Sequence, residues 1–379
     1  MRFIFKIIKK IGKFLAWVVL LTLLIPLTGG IYVFSGLFEC CHVAYQETKT
    51  QSHLPDANIA LAGKAKAAIK TYHRPVESTF LTFPEWYIVY SSQDYAKVLK
   101  INLPSDFPYF GEIGQFWQGY CYVNALSKKY PFNLENHIMI MVIGTSLTLE
   151  YIVKGVYENT IGRFSEWTSN HQQVEEDKYA YKVANDYATL IPVRPWYEFT
   201  FLNSFKNLWK ETSLWGKNAF RKWERKIILS IEYSFKAFYA WAIEKSTHAA
   251  FGVAEVNTMA WVNRLSANLL KNGNIKTLDQ LASSEIVSIP RYQPFTAATI
   301  EAIDSGTQFY DIAGNAIIML SAVVPVEAKI SEGTVVFTLP VLTDRKLKRI
   351  AIVTQVVNLH QVIKSLQRIN ARTEHIYDY

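Results

Sequence analysis

Two nine-residue segments of the chain place a glutamate and a lysine in nearly the same surroundings. Residues 149–157 and 231–239 share the order apolar, Glu, Tyr, any residue, apolar, Lys, small, apolar, Tyr. In each segment the Glu precedes the Lys by four positions, which is the favourable order for an ion pair along one helix face. The charged residues of the two segments are Glu150, Lys154, Glu232 and Lys236.

These four side chains interrupt apolar stretches, where charges are costly unless they are paired. One interpretation is a buried ionic cluster between two crossing helices, which binds an ion, a proton or a lipid headgroup. The other is two independent pairs on solvated helix faces, which is the commoner arrangement. The cluster is the best candidate site that the sequence offers, and no catalytic residue is assigned.

Motifs for other kinds of site are missing from the sequence. A di-iron carboxylate bundle needs two Glu-x-x-His motifs, and the sequence has one, from Glu39 to His42. It has no G-x-S-x-G, P-loop or G-x-G-x-x-G motif. His375 is expected to be an ordinary edge residue. We predict no metal and no cofactor, and whether the protein is an enzyme stays open.

The chain has three cysteines, so they cannot all pair within it. We expect three small, partly buried thiols. The alternative is a single disulfide that joins Cys40 or Cys41 to Cys121 in an oxidising compartment.

The segment from Phe14 to Phe38 contains no charged residue. As a helix it covers about 37 Å, enough to cross a hydrocarbon core of about 30 Å. The basic residues that precede it are Arg2, Lys6, Lys9, Lys10 and Lys13. Because basic flanks stay in the cytoplasm, we predict an uncleaved signal-anchor helix in a bacterial cytoplasmic (inner) membrane, with the N-terminus inside and the main body extracytoplasmic. A cleaved signal peptide would have a shorter apolar region.

The formal net charge is +8, and most of this excess lies in the N-terminal flank. The rest of the chain is close to balanced and has no extended basic stripe, which argues against nucleic acid as a partner. Aromatic residues make up 14% of the chain, and Tyr and Trp suit an interface between protein, headgroups and water. The predicted partner is the lipid bilayer, with a protein partner or a second copy of the chain kept open.

The composition changes near residue 265, where aromatic helical patterns give way to alternating Val, Ile and Ala. We predict a basic cytoplasmic tail at 1–13, a transmembrane helix at 14–38, a linker with a short helix at 39–80, an aromatic-rich helical domain at 81–264 and an α+β domain at 265–379. Thr82, Pro84 and Glu85 form a capping-box pattern that predicts a helix start. A predicted helix from His137 to Trp167 contains twelve consecutive uncharged residues, which are too few to cross a membrane.

The C-terminal domain alternates predicted strands and helices. Strands are predicted at 286–289, 316–324, 334–339 and 372–377, and helices at 295–312 and after Asn358. The order strand, helix, strand, strand, helix, strand is that of a ferredoxin-like βαββαβ domain, in which residues 349–357 extend the third strand.

Together these features predict a single-pass, membrane-anchored α+β protein whose helical domain is held against the membrane surface. The sequence favours a binding or assembly role at the membrane. The alternative is a membrane enzyme or carrier in which Glu150 and Glu232 are acid-base or ion-binding groups. That alternative requires the helices at 137–157 and 227–243 to enter the membrane, because charged residues within a membrane are usually functional.

Overall fold

The computed structural model describes residues 20, 24–35, 63–65, 67, 73–250, 256–266, 269 and 275–378. The predicted basic tail, most of the first half of the predicted transmembrane helix, Cys40, Cys41 and most of the predicted linker lie outside these residues. In the described part the chain is a mixed α+β structure, with helices in its N-terminal part and antiparallel sheets in its C-terminal part.

The helical part is built from long helices that run side by side. A π-helical turn, Glu158–Gly162, joins α4 to α5 without a break. The helix bounds are α1 Leu24–Phe34, α2 Glu77–Ile101, α3 Tyr109–Ser127, α4 Leu134–Tyr157, α5 Arg163–Thr168, α6 Glu175–Leu190, α7 Phe201–Glu211 and α8 Ala219–Ala250.

Helix α2 begins at Glu77, so the predicted capping box is wrong. The Thr82 hydroxyl donates to the Ser78 carbonyl at 2.6 Å inside the helix, and Pro84 also lies within it. Proline in a helix interior costs about 3 kcal/mol. The fully buried side chains of Phe80 and Phe83 flank this position, and their packing offsets that cost.

Helix α3 packs against α4. It runs antiparallel to α4, with the Trp117 indole donating to Thr148 at 2.9 Å and the Tyr120 hydroxyl 2.8 Å from His137 Nδ1. A Cβ on Gly144 of α4 would collide with the Phe116 ring. This glycine therefore lets the two helices approach closely.

Helix α1 packs beside α3 and α4. The Asn124 side chain donates to the Val33 carbonyl at 3.2 Å, and the Gly29 backbone lies against the Trp117 ring. Cys121 is disulfide-bonded, whereas three free thiols were expected. Its position beside the last turn of α1, where the Sγ is 3.8 Å from the Tyr32 carbonyl, was not readable from cysteine spacing.

The C-terminal part contains two four-stranded antiparallel sheets in the described residues, of order β2-β3-β1-β4 and β6-β7-β5-β8. The element bounds are β1 Asn257–Asn263, β2 Lys276–Leu281, β3 Ser284–Pro290, α9 Gln293–Asp304, β4 Phe309–Ile312, β5 Ile317–Pro325, β6 Thr334–Pro340, β7 Leu347–Gln355, α10 Leu359–Arg368 and β8 Arg372–Ile376.

The two sheets are two copies of one βββαβ unit. In each unit the first strand pairs with the third and the fourth, and the second strand lies at the edge. Both units contribute to one core, in which Phe295 of α9 and Val362 of α10 are fully buried with strand residues of both sheets.

The described strands differ from the predicted ferredoxin-like order. The first and second strands of the predicted order, β3 and β5, lie in different sheets, whereas a βαβ crossover joins parallel strands. Residues 309–312 of the predicted helix at 295–312 form strand β4. Strand β1 also begins at Asn257, before the predicted domain start at 265. The prediction merged strands of two repeated units into one because each unit alternates strands and a helix in a similar way.

The sheet β6-β7-β5-β8 docks on α2 and α3. The Thr79 hydroxyl donates to the Tyr377 carbonyl at 3.1 Å and accepts from the Met319 amide at 3.0 Å. The Arg349 guanidinium reaches Asp94 of α2 at 3.4 Å. These buried contacts join the helical and the α+β parts directly.

One continuous helix of the described chain is long and apolar enough to cross a membrane. It runs over Leu134–Thr168, from α4 through the π-turn to α5, and 39% of its most apolar window is buried. The predicted helix at 137–167 was expected to be too short to cross a membrane because its run of uncharged residues ends at Glu150. In the structure Glu150 pairs with Lys236 of α8 at 2.8 Å, so its charge is met by the neighbouring helix.

Candidate functional site

The structure brings the four predicted site residues together between α4 and α8. Lys154 Nζ lies 2.7 Å from Glu232 and 3.3 Å from Glu150. Lys236 Nζ lies 2.8 Å from Glu150 and 3.2 Å from Glu232. We call Glu150, Lys154, Glu232 and Lys236 the ion ring. Its two shortest contacts join different helices, so two independent pairs do not describe it.

The ion ring is partly shielded by aromatic rings. Lys154 Nζ lies 4.8 Å from the centroid of Tyr95, and Lys236 Nζ lies 5.5 Å from that of Phe201. Side-chain exposure is 14% for Lys154 and 37% for Glu150. Two carboxylates and two ammonium groups make the ring neutral, so it can hold two helices in register where isolated charges would be costly.

A second ionic cluster, which was not predicted from the sequence, lies at the N-terminal end of α8. Arg221 is fully buried and pairs with Asp177 at 2.9 Å and Glu224 at 3.0 Å. Arg225 pairs with Glu158 at 2.7 Å. The remaining members are Glu166, Glu175, Glu176, Lys222 and Lys226.

A sequence signal for this second cluster existed. The basic pairs at 221–222 and 225–226 recur at a spacing of four, which places them on one side of α8. The acids at 175–177 were interpreted only as residues that stabilise the start of a helix. Their number was a sign that α6 faces a basic surface.

The π-turn contributes to this cluster. It carries Glu158, whose Oε2 atom is buried without a hydrogen-bond partner and lies where a Cβ on Gly162 would be. Glycine at 162 thus gives the carboxylate room beside Arg225. Single π-turns occur often at functional sites, and here the turn positions a charge in a buried network.

Between their ends, the charged side chains of α4 and α8 face neighbouring helices, and most of the exposed side chains are apolar. We call the outward surface of these helices the apolar face. Its exposed side chains are Ile138, Met139, Val142, Val153 and Val156 of α4, and Phe220, Ile227, Ile231, Phe235, Phe238 and Trp241 of α8.

The apolar face has the same length on both helices. On one side the exposed charged residues that bound it are Glu135 of α4 and Arg163 of α5, and on the other they are Lys217, two residues before α8, and Glu244 of α8. Each pair is separated by about 40 Å of helix. Between these bounds the most exposed charged side chain is Glu150, at 37%.

A cluster of titratable groups lies where α2 meets the end of β8. Asp378 accepts from Arg291 Nε at 3.1 Å, and burial raises its pKa to about 6 although Arg291 lowers it. Burial also raises the pKa of Glu85 to about 7. His375 is fully buried and stacks on Trp86 with ring centroids 3.4 Å apart, so it is not the edge residue that the sequence suggested.

A cavity with a volume of ≈ 340 Å³ lies beside α5. Polar groups around it are already paired, since the Ser105 hydroxyl donates to Glu166 at 2.6 Å and Arg163 donates to the Ser105 carbonyl at 3.3 Å. Among the described residues no group of His, Cys, Asp and Glu is placed to hold a metal ion.

Comparisons with known proteins return no relative of this chain. No family model matches it, and neither a curated protein nor a solved structure matches it.

Proposed function

We propose that the protein is attached to a membrane and has a binding or assembly role there. The observation that carries this proposal is the outward side of α4 and α8, where most of the exposed side chains are apolar while the charged side chains between the ends of these helices face the protein. Contiguous exposed apolar surfaces of this size mark membrane or protein contacts. The lipid bilayer is the proposed partner.

The sequence supports a finer topology for this attachment. In it the run Phe14–Phe38 crosses a bacterial inner membrane with the basic tail in the cytoplasm and the body extracytoplasmic. The disulfide at Cys121 supports the extracytoplasmic side for the body, because disulfides persist in oxidising compartments.

The binding role is assigned to the docked α+β part. Its two βββαβ units share a core, and buried bonds from Thr79 and Arg349 join it to the helical part. The protein therefore presents the two units in one fixed position relative to the membrane-facing helices. A fixed presentation of this kind suits the assembly of partners at a membrane surface.

The proposal is tested by flotation and recovery of the full-length protein. Membranes from cells that express it are floated through a density gradient, and the protein is expected in the lipid fraction. Recovery in mild detergent is expected to retain a stoichiometric protein partner or a second copy of the chain. A protein that stays in the dense fraction contradicts membrane attachment, and recovery of a lone monomer contradicts the assembly role.

A second candidate function is a membrane carrier or enzyme that uses the ion ring. The observation that favours it is the closed arrangement of Glu150, Lys154, Glu232 and Lys236 beside the apolar face. The variants Glu150→Gln and Glu232→Gln decide between the two roles. Loss of a cellular phenotype with unchanged protein level and melting temperature supports a functional ring, and loss of stability alone supports a structural one.

A further inference from the structure

Resting on the proposed membrane attachment, we infer that α4 and α8 lie along the membrane surface with the apolar face in one leaflet, and that neither helix crosses the bilayer. Length and composition alone permit crossing, since Leu134–Thr168 is long and apolar enough. The docking of the α+β part decides against it.

Helix α3 lies between the sheet and the part of α4 from Gly144 to Gly155. On one side Trp117 bonds to Thr148 of α4, and a Cβ on Gly155 of α4 would touch Phe110. On the other side Gln115 donates to the Pro340 carbonyl at 2.7 Å. The sheet thus lies beside α4 at the same level along the helix axis, with one helix layer between them.

The side of that sheet that is turned away from α3 packs in the core that contains α10. Strand β7 alternates between Ala351 and Val353, which belong to the helical core, and Ile350 and Ile352, which belong to the core shared with α10. Helix α10 therefore covers the face that is turned away from α3.

The β6–β7 turn carries Asp344, Arg345 and Lys346 as exposed side chains, and its Leu342 packs against Gly111 of α3. Because the neighbouring Phe110 lies against Gly155, near the middle of Leu134–Thr168, these charges would lie at hydrocarbon depth if α4 crossed the bilayer, where charged side chains are costly. Crossing is incompatible with the docked structure for this reason.

An orientation along the surface avoids this cost. Packed helices are about 8–10 Å apart and the next layer lies about 10 Å further on, so the sheet lies about 20 Å above the axes of α4 and α8. Helices that lie in an interface sink by only about 5–10 Å. The apolar face then enters the leaflet, and the α+β part stays in water.

The ends of the apolar face suit lipid headgroups. Trp167, Trp215 and Trp241 are 69%, 74% and 56% exposed. The exposed Arg163 lies one helical turn before Trp167, and the exposed Lys217 follows shortly after Trp215. Amphipathic aromatic rings favour the membrane interface, and basic side chains reach headgroups from its edge.

Lipid is the occupant to which the inference commits, because the apolar face continues into the N-terminal uncharged run. Helix α1 belongs to that run, and its Leu24, Leu27 and Ile31 side chains are 41%, 59% and 50% exposed. Gly30 of α1 lies beside Met141 of α4, which places the helices next to each other. The described part of the run therefore adjoins the apolar face and enters the same leaflet.

The test uses two protease-cleavable epitopes in the full-length chain, one after Gly216 in the α7–α8 turn and one after Gly306 in the α+β part. Both glycines have positive φ and no neighbouring atom where a side chain would begin, so both turns accept an insertion. In sealed membrane vesicles of one orientation we expect protease to remove both epitopes or neither. Removal of only one epitope would show that α8 crosses the bilayer and would overturn the inference.

A second measurement identifies the occupant. A phospholipid with a photoactivatable diazirine near the end of one acyl chain is expected to label peptides that contain Ile231 or Phe238, and not the peptide that contains the exposed Leu278 of β2. Crosslinking of these positions to another protein without lipid labelling would overturn the lipid assignment. A protein that does not float with membranes at all contradicts the proposed function instead, so the two failures are distinguishable.

Discussion

Removal of the Lys154 ammonium is the most direct perturbation of the ion ring. In Lys154→Met, Glu232 loses its 2.7 Å contact and Glu150 loses its 3.3 Å contact. Lys236 is then the one ring cation that faces both carboxylates. Methionine keeps most of the volume and the packing against Tyr95, so the change isolates the charge.

The expected cost follows from the burial of the ring. Breaking a fully buried pair costs about 3–5 kcal/mol, and an exposed pair contributes about 0–1 kcal/mol. Side-chain exposures of 14% for Lys154 and 20% for Glu232 place this ring between these limits, at about 2 kcal/mol. For the helical part this corresponds to a fall in melting temperature of about 4–8 °C.

The assay is thermal unfolding of the purified protein in one detergent, with Lys182→Met as the matched control. Lys182 pairs with Glu211 at 2.8 Å, but the two side chains are 57% and 42% exposed. We expect the control to change stability by less than about 0.5 kcal/mol. Equal effects of the two variants would refute the argument that burial makes the ring strong.

A double variant checks that the cost arises from unpaired charge. Lys154→Met together with Glu232→Gln leaves the neutral pair of Glu150 and Lys236, which lies at 2.8 Å. This double variant is expected to be more stable than Lys154→Met alone. If it is instead less stable by the full cost of both single changes, the contacts are independent and the ring is not a unit.

Three further predictions concern packing, pH and the apolar face. Gly144→Ala is expected to lower the free energy of unfolding by about 1–3 kcal/mol through overpacking. Gly114→Ala in α3, where a Cβ has open space, is expected to raise it by about 0.5–1 kcal/mol. Thermal unfolding that ranks the two variants the other way contradicts the close approach of α3 and α4. Burial raises the pKa of Glu85 from 4.5 to about 7, so ionisation of this group destabilises the fold as pH rises from about 4.5 to 7. Glu85→Gln should therefore raise the free energy of unfolding by about 2 kcal/mol at pH 8, a value reduced for the partial exposure of the side chain, and hardly at all at pH 4. The same gain in stability at both pH values would show that Glu85 does not titrate as expected. Phe238→Lys is expected to lower co-flotation with anionic vesicles about tenfold, because burial of one aromatic side chain in lipid contributes about 1.5–3 kcal/mol to binding. The melting temperature should not fall, since the Phe238 side chain is 64% exposed. The control Leu278→Lys should leave flotation unchanged, and equal flotation of the two variants would exclude the apolar face from lipid.

The spacing of charged residues was informative within a single helix. The spacing of four between Glu150 and Lys154, repeated at Glu232 and Lys236, was readable because helix geometry places residues four apart on one face. That the two pairs form one ring depends on α4 and α8 being antiparallel neighbours. This is a property of packing, and no spacing within either segment contains it.

Local signals failed where tertiary packing overrode them. Thr82, Pro84 and Glu85 match a capping box, yet α2 begins at Glu77 because buried aromatic side chains hold the helix together through Pro84. His375 looked ordinary in sequence and is buried against Trp86. In both cases the deciding contacts come from distant parts of the chain.

By itself the sequence determined the helical and the α+β halves, the uncharged N-terminal run and the candidate charges, because these depend on composition and on the periods of helices and strands. The tertiary structure alone decided which charges meet, that the sheets are two βββαβ units, and that α4 and α8 each leave an apolar side exposed. The physical reason is that burial is a relation between segments. The sequence pattern of a helix with one charged and one apolar face is the same whichever of the two faces the rest of the chain covers.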